Sequence, residues 1–258
     1  MIRASAWPLS FAARARARRG LLAAILAALA LPACRLDVAL DVTLDREGAG
    51  RVEVSVRADA ELVRRAAGEG VDPLADLVAA GEGLAAHGWT VSDEVGANGS
   101  RTVRLGVAVT SPAEVQTVTG QLADALAAPE LRPLEPLRVA LLEDRITVEG
   151  AADLVVDADV PELGLTAEQA TAALSDADVV GYAVTVAFPG PVLQATVAIP
   201  SPAPSAVAWS VAPGESVTIR ATAVRPGPTI VPLVAAASGG AVVAAMALLA
   251  LLWLRRRQ

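Results

Sequence analysis

Lysine is absent from this chain of 258 residues, and cysteine and histidine occur once each. One Cys excludes an intrachain disulfide. One His cannot build a His-rich zinc site, and no Ser-His-Asp set is recognisable around it. Aromatic residues make up 3% of the chain. Between its ends only Trp89, Tyr182, Phe188 and Trp209 are present, too few for a broad stacking platform of the kind that sugars or single-stranded nucleic acids use. No glycine-rich phosphate loop follows a predicted strand, so a nucleotide fold has no support. Because every one of the 21 basic residues is Arg, the charge balance reads directly: residues 35–228 carry all 28 acidic side chains against 13 Arg, a balance of −15. Such a surface repels polyphosphates, which argues against nucleic acid as a partner.

Long apolar runs are missing from the middle of the chain and concentrated at its two ends. Arg3, Arg14, Arg16, Arg18 and Arg19 precede an apolar run at 21–31, the charged-then-apolar order of an export signal and too short to span a membrane. The run ends in Leu31-Pro32-Ala33-Cys34, which resembles a lipobox, the site where a bacterial signal peptidase cuts before a Cys carrying diacylglycerol. Residues 1–33 are then a lipoprotein signal peptide and Cys34 the lipidated first residue. The alternatives are an ordinary cleavage nearby or an uncleaved anchor, either of which leaves Cys34 a lone thiol. At the other end, 230–254 is uncharged and, at about 1.5 Å per residue, long enough to cross a hydrocarbon core of roughly 30 Å. Arg255, Arg256 and Arg257 follow at once. The sequence therefore predicts a transmembrane helix at 230–254, a cytoplasmic tail at 255–258, and an extracytoplasmic domain at 34–228.

Within that domain, Leu36, Val38, Leu40, Val42 and Leu44 alternate with polar or small residues, and Val52, Val54 and Val56 resume the pattern after a Gly-containing turn, predicting a half-buried hairpin. Helices are predicted at 60–67 and 73–86, with Asp59 and Asp72 as N-caps. A second hairpin follows at 89–95 and 102–109. Ser111-Pro112-Ala113-Glu114 has capping-box spacing with Pro at the first helical position, and Val115, Val118, Leu122 and Leu126 form its apolar stripe. Strands are predicted at 137–142, 145–149, 154–160, 179–188, 192–199, 206–211 and 216–224, with Thr166-Ala167-Glu168-Gln169 opening a short helix. Strand and helix runs segregate without a βαβ rhythm. The expected fold class is α+β, a largely antiparallel sheet with packed helices, plus one C-terminal transmembrane helix. The first strand starts about two residues after Cys34 and the last ends about five residues before the span. Five residues reach roughly 17 Å at most, so both ends of the domain are expected to be held at one bilayer on short leads.

A lipobox running into an Asp-rich alternating strand, then Phe188-Pro189-Gly190, Val192, Trp209 and Gly214, and finally a span with a basic tail, resembles the LppM family of actinobacterial lipoproteins across nearly the whole chain. That resemblance implies a membrane-anchored α+β domain likened to lipid-binding folds, with binding of envelope glycolipids proposed for a relative.

Carboxylates supply the remaining chemistry to weigh. Asp153, Asp157, Asp159 and Glu162 lack the central Gly and terminal Glu of a calcium loop and read as a solvated loop and strand edge. His87 suits the C-terminal end of a helix. Tyr182, Val184, Val186 and Phe188 share one strand face and read as core. These features yield no metal or cofactor site, and Cys34 is the one site residue. The leading expectation is a noncatalytic, membrane-anchored module that binds membrane lipids or envelope glycolipids at the cell membrane. A structural or protein-interaction component of the envelope is the alternative, and an esterase or glycosidase ranks third for want of a catalytic set.

Overall fold

The alternating segment after Cys34 forms the central hairpin of the computed structural model, which describes residues 34–127, 133–156, 158–159, 165–176, 180–196, 198–199 and 203–227. Strand β1 (Leu36–Leu44) pairs antiparallel with β2 (Gly50–Ala58) from Leu36↔Ala58 to Leu44↔Gly50. Asp45 closes the turn: its Oδ1 accepts hydrogen bonds from the backbone N–H groups of Glu47 at 2.9 Å and Ala49 at 2.8 Å. Asp59 caps helix α1 (Ala60–Gly68) as predicted, accepting from the Leu62 N–H at 2.7 Å.

Asp72 does a different job. Helix α2 (Ala75–Leu84) starts later than predicted, its N-cap is Leu74, and Asp72 accepts from the Leu74 N–H within the preceding turn. The Asp72 side chain also pairs with Arg101, which grips Asp93 in a two-pronged contact of 2.9 and 2.7 Å. Arg101 thereby fastens the turn before α2 to β3 (Thr90–Val95) and to its own strand β4 (Arg101–Val109). Gly81 lets α2 lie close on these strands. A Cβ there would stand 2.4 Å from Leu105 Cδ2 and 2.7 Å from Val91 Cγ2.

The Arg101 guanidinium holds the carboxyls of Asp72 and Asp93 below the ordinary carboxylate range. Groups with depressed folded-state pKa values stabilise the fold above their unfolded-state pKa, and that contribution is lost as pH falls through the folded values. Stability is therefore expected to drop as pH falls below about 4, and Arg101→Gln should flatten this drop. Burial moves the Asp41 carboxyl upward, which acts in the opposite sense. Urea unfolding of wild type and variant across the acid range checks this; parallel curves would refute it.

Helix α3 (Pro112–Leu126) opens on Ser111, whose Oγ accepts from the Glu114 N–H at 3.3 Å. The return arm of the predicted box goes one residue further back, Glu114 Oε2 accepting from the Thr110 N–H at 2.6 Å. Val115, Val118 and Leu122 are buried as predicted; Leu126 is half-buried, and Thr119 joins the buried face. Thr119 Oγ1 donates to the Val115 carbonyl at 2.7 Å and accepts from the Leu137 N–H at 2.9 Å, tying α3 to the chain before β5 (Arg138–Leu141).

Strand β6 (Arg145–Asp153) runs four residues past its predicted end, through Gly150. A Cβ at Gly150 would meet Leu137 Cδ2 at 2.5 Å, so the glycine marks a close approach within a continuing strand. Leu154, expected in a further strand, instead exchanges backbone hydrogen bonds with Gly214 and Glu215. Helix α4 (Ala167–Asp176) carries a complete capping box between Thr166 and Gln169. The last strands are β7 (Val180–Ala187), β8 (Val192–Ala195), β9 (Ala206–Val211) and β10 (Ser216–Val224).

One sheet has six strands in the order β3-β4-β2-β1-β7-β9, the other four in the order β5-β6-β10-β8. The fold is α+β with extensive antiparallel pairing, and β1 and β7 pair in parallel. Thr196 joins the sheets: its N–H donates to Arg220 of β10, and its carbonyl and hydroxyl accept from the indole N–H of Trp209 on β9 at 3.2 and 3.3 Å.

The chain divides into the units Met1–Arg225 and Pro226–Gln258, and all these elements belong to the first. The signal peptide predicted at 1–33, the span predicted at 230–254 and the tail predicted at 255–258 lie outside the described residues. Among the described residues no helix is long and apolar enough to cross a membrane. Cys34 stands at the start of β1. Arg225 packs over the turn at its far end, donating to the carbonyls of Arg46 at 2.7 Å and Leu142 at 3.1 Å. Eight residue steps of β1 separate these points by about 26 Å. The two ends of the described domain therefore stand at opposite ends of β1.

Candidate functional site

The inner face of the six-stranded sheet is set by register. Val38 of β1 lies between Val56 of β2 and Tyr182 of β7, and Leu40 lies between Val54 and Val184. Over this floor, Leu77 of α2 and Leu122 and Leu126 of α3 form a lid, with Leu134 and Leu154 closing the side. Short valines on the floor leave a space that the leucines above do not fill. The result is a cavity of about 60 Å³. Val38, Leu126 and Pro133 are only half-buried where the other lining residues are buried, so the cavity meets solvent on their side.

Every lining side chain is aliphatic except that of Tyr182, which is 5% exposed. Burial pushes the Tyr182 phenol well above its ordinary range, so it is neutral at physiological pH. The cavity has room for about two methylene-sized groups or waters. Ligand pockets for larger molecules run to roughly 300–1,000 Å³, so in this conformation the site takes the end of an apolar chain.

A larger groove, of about 1050 Å³, lies between α3 and the four-stranded sheet. Here Glu149 stands in register between Arg138 of β5 and Arg220 of β10, and Arg220 Nη2 sits 2.6 Å from Glu149 Oε1. Asp124, Glu135 and Asp153 add negative charge to its walls. The groove is wide and Glu149 is paired with Arg220, so the narrower aliphatic cavity is the more selective feature.

The residues singled out by sequence fall in separate places. Cys34 is buried, its sulfur accepting from Arg65 Nη1 at 3.6 Å, and burial pushes its thiol pKa up. His87 is exposed at the end of a short 3-10 turn, Ala85–His87. Asp153 and Asp159 accept backbone N–H bonds from Val155 and Ala167, as turn and helix caps, while Asp157 and Glu162 lie outside the described residues. Among the described residues no group of three or more His, Cys, Asp or Glu is arranged to hold a metal ion. Tyr182, Val184, Val186 and Phe188 are all buried, as the core reading expects, and so is Trp209. That reading missed the cavity wall that Tyr182 provides. Its neighbours Val38 and Val56 share its face by period two, but only the parallel pairing of β1 with β7 brings them together.

No family model matches the chain, and no curated protein matches it. Among solved structures, the chain is similar to the folded domain of the Mycobacterium tuberculosis LppM protein, determined by NMR. The two share 18% identity over 75% of this chain and 91% of that one, with a TM-score of 0.46. The likeness to LppM is distant and concerns the fold alone.

Proposed function

We propose that the chain is an envelope lipoprotein, anchored by Cys34 and by its C-terminal span, whose extracytoplasmic domain is a noncatalytic module that binds a lipid or glycolipid through an apolar chain. The observation that carries this reading is the aliphatic cavity between sheet and helices, open on the side of Val38, Leu126 and Pro133. Apolar walls with few polar groups suit an acyl chain, and a cavity of about 60 Å³ accepts its tip with the lid leucines moving aside for the rest. With the two leads leaving from opposite ends of β1, anchors in one bilayer would lay that strand along the lipid surface rather than upright on it. The noncatalytic part of the reading is supported by the exposed position of His87, the only imidazole, away from the cavity.

Native mass spectrometry of the full chain released from detergent, with thermal unfolding in the presence and absence of lipid, tests the proposal. Bound lipid and lipid-dependent stabilisation are expected. Empty protein with no stabilisation would refute it. One observation favours the alternative of a protein-docking component: Leu193 of β8 and Ile199 near it are 60% and 51% exposed. A stoichiometric protein crosslinked at these residues would support that alternative.

A further inference from the structure

We propose that Tyr182 is the polar contact of the cavity, its phenol donating a hydrogen bond to the ester carbonyl of a glycerolipid whose acyl chain occupies the aliphatic space. This rests on the lipid-binding reading above and names the chemical group it selects.

The first observation is that the Tyr182 hydroxyl has no hydrogen-bond partner among the described residues, although the residue is 5% exposed, and that its oxygen keeps accessible surface, since among the described residues no fully buried side-chain oxygen or nitrogen lacks a partner. Other buried polar side chains of the domain are satisfied. Trp89 donates to Gln121 Oε1 at 3.2 Å, Trp209 to Thr196, Ser100 to Asn98 at 2.8 Å, and Thr119 to the Val115 carbonyl. Buried tyrosines ordinarily find a partner because an unmade hydrogen bond costs free energy. The second observation is placement. Tyr182 is the one lining residue whose side chain carries a polar atom, and it lies in register beside Val38, on the side where the cavity meets solvent. An amphiphile entering tip first would leave its first polar group at this point.

Chemistry narrows the choice of that group. Once an apolar chain fills the mouth, a water there is cut off from bulk and left with the phenol as its one side-chain partner, where a buried water needs two to four. A carboxylate would be buried among aliphatic walls without a cation, at a large desolvation cost. A neutral acceptor joined directly to an apolar chain avoids both problems, and the acyl ester carbonyl of a glycerolipid is such a group.

Tyr182 is the only tyrosine of the chain, so protein labelled with ¹³C at the tyrosine ζ carbon gives one resonance to follow. The full chain, held in amphipol, would be titrated with dihexanoyl phosphatidylcholine and with its dialkyl ether analogue, which keeps the chains and headgroup but lacks the carbonyls. The expected result is a saturable shift of the tyrosine resonance, with half-saturation for the ester at about fivefold lower concentration than for the ether, the effect of one net hydrogen bond. In Tyr182→Phe, followed by thermal unfolding, ester and ether should stabilise equally. Without lipid, the variant should melt no lower than wild type, because it loses a hydroxyl that has no partner. Equal response of the wild-type protein to ester and ether, or a lower melting point for lipid-free Tyr182→Phe, overturns the role of Tyr182 while chain binding stands. Failure of both lipids to bind or stabilise removes the lipid-binding reading and this inference together.

Discussion

Trp209→Ala is expected to lower the unfolding free energy by about 3–5 kcal/mol, the range for deleting a large aromatic side chain from a packed core. Trp209 is fully buried on β9, and its indole N–H is bonded to Thr196, the residue that also accepts the Arg220 N–H and donates through its N–H to the Arg220 carbonyl. One side chain thus fills the junction of the two sheets and supplies a hydrogen bond across it. Removing it leaves a cavity and an unsatisfied carbonyl at once. Trp209→Phe should recover most of the packing and retain a deficit of about 1 kcal/mol from the lost bond. Urea unfolding monitored by far-UV circular dichroism measures both values. A loss under 1 kcal/mol for the alanine variant would show that the two sheets do not depend on this junction.

The second large effect is expected on binding. Val38→Phe adds a ring to the floor at the open side of a cavity of about 60 Å³, and the ring should occupy the space that an acyl chain would enter. Filling a void restores dispersion contacts that its lining lacks, and Val38 is half-buried, so the side chain has freedom to adjust and the fold should persist. With lipid at a hundred times its dissociation constant, wild-type protein gains about 2.7 kcal/mol by mass action. The variant should gain close to nothing. Undiminished lipid stabilisation in Val38→Phe would place the lipid elsewhere, with the polar groove beside α3 as the next place to look.

Local chemistry made much of this fold readable in advance. Alternation from Leu36 to Leu44, the glycines of the turn, and the Ser111 and Thr166 caps act within a few residues, and each appears where the pattern placed it. Long-range choices were hidden. Nothing near Val180 announces that its strand joins β1 in parallel, because that pairing is fixed by the whole intervening chain. The strand predicted at 145–149 stops short of Gly150, whereas the observed strand continues through this glycine, which admits Leu137. Asp72 looked like a cap because its partner Arg101 lies 29 positions away. The cavity was illegible for the same reason: its walls come from β1, β2, β7, α2 and α3, and periodicity identifies apolar faces without showing whether they meet or leave a gap.

The positions of Cys34 and Arg225 also have a mechanical meaning. A pull applied between these points runs along β1, whose hydrogen-bonded neighbours β2 and β7 hold it over its full length. Loaded this way, the ladders are sheared, and many bonds must fail in one event. Peeling from a free edge would break them singly. Tension between the ends of this domain should therefore meet a stiff element, and force spectroscopy with handles at these residues should record a single high rupture peak.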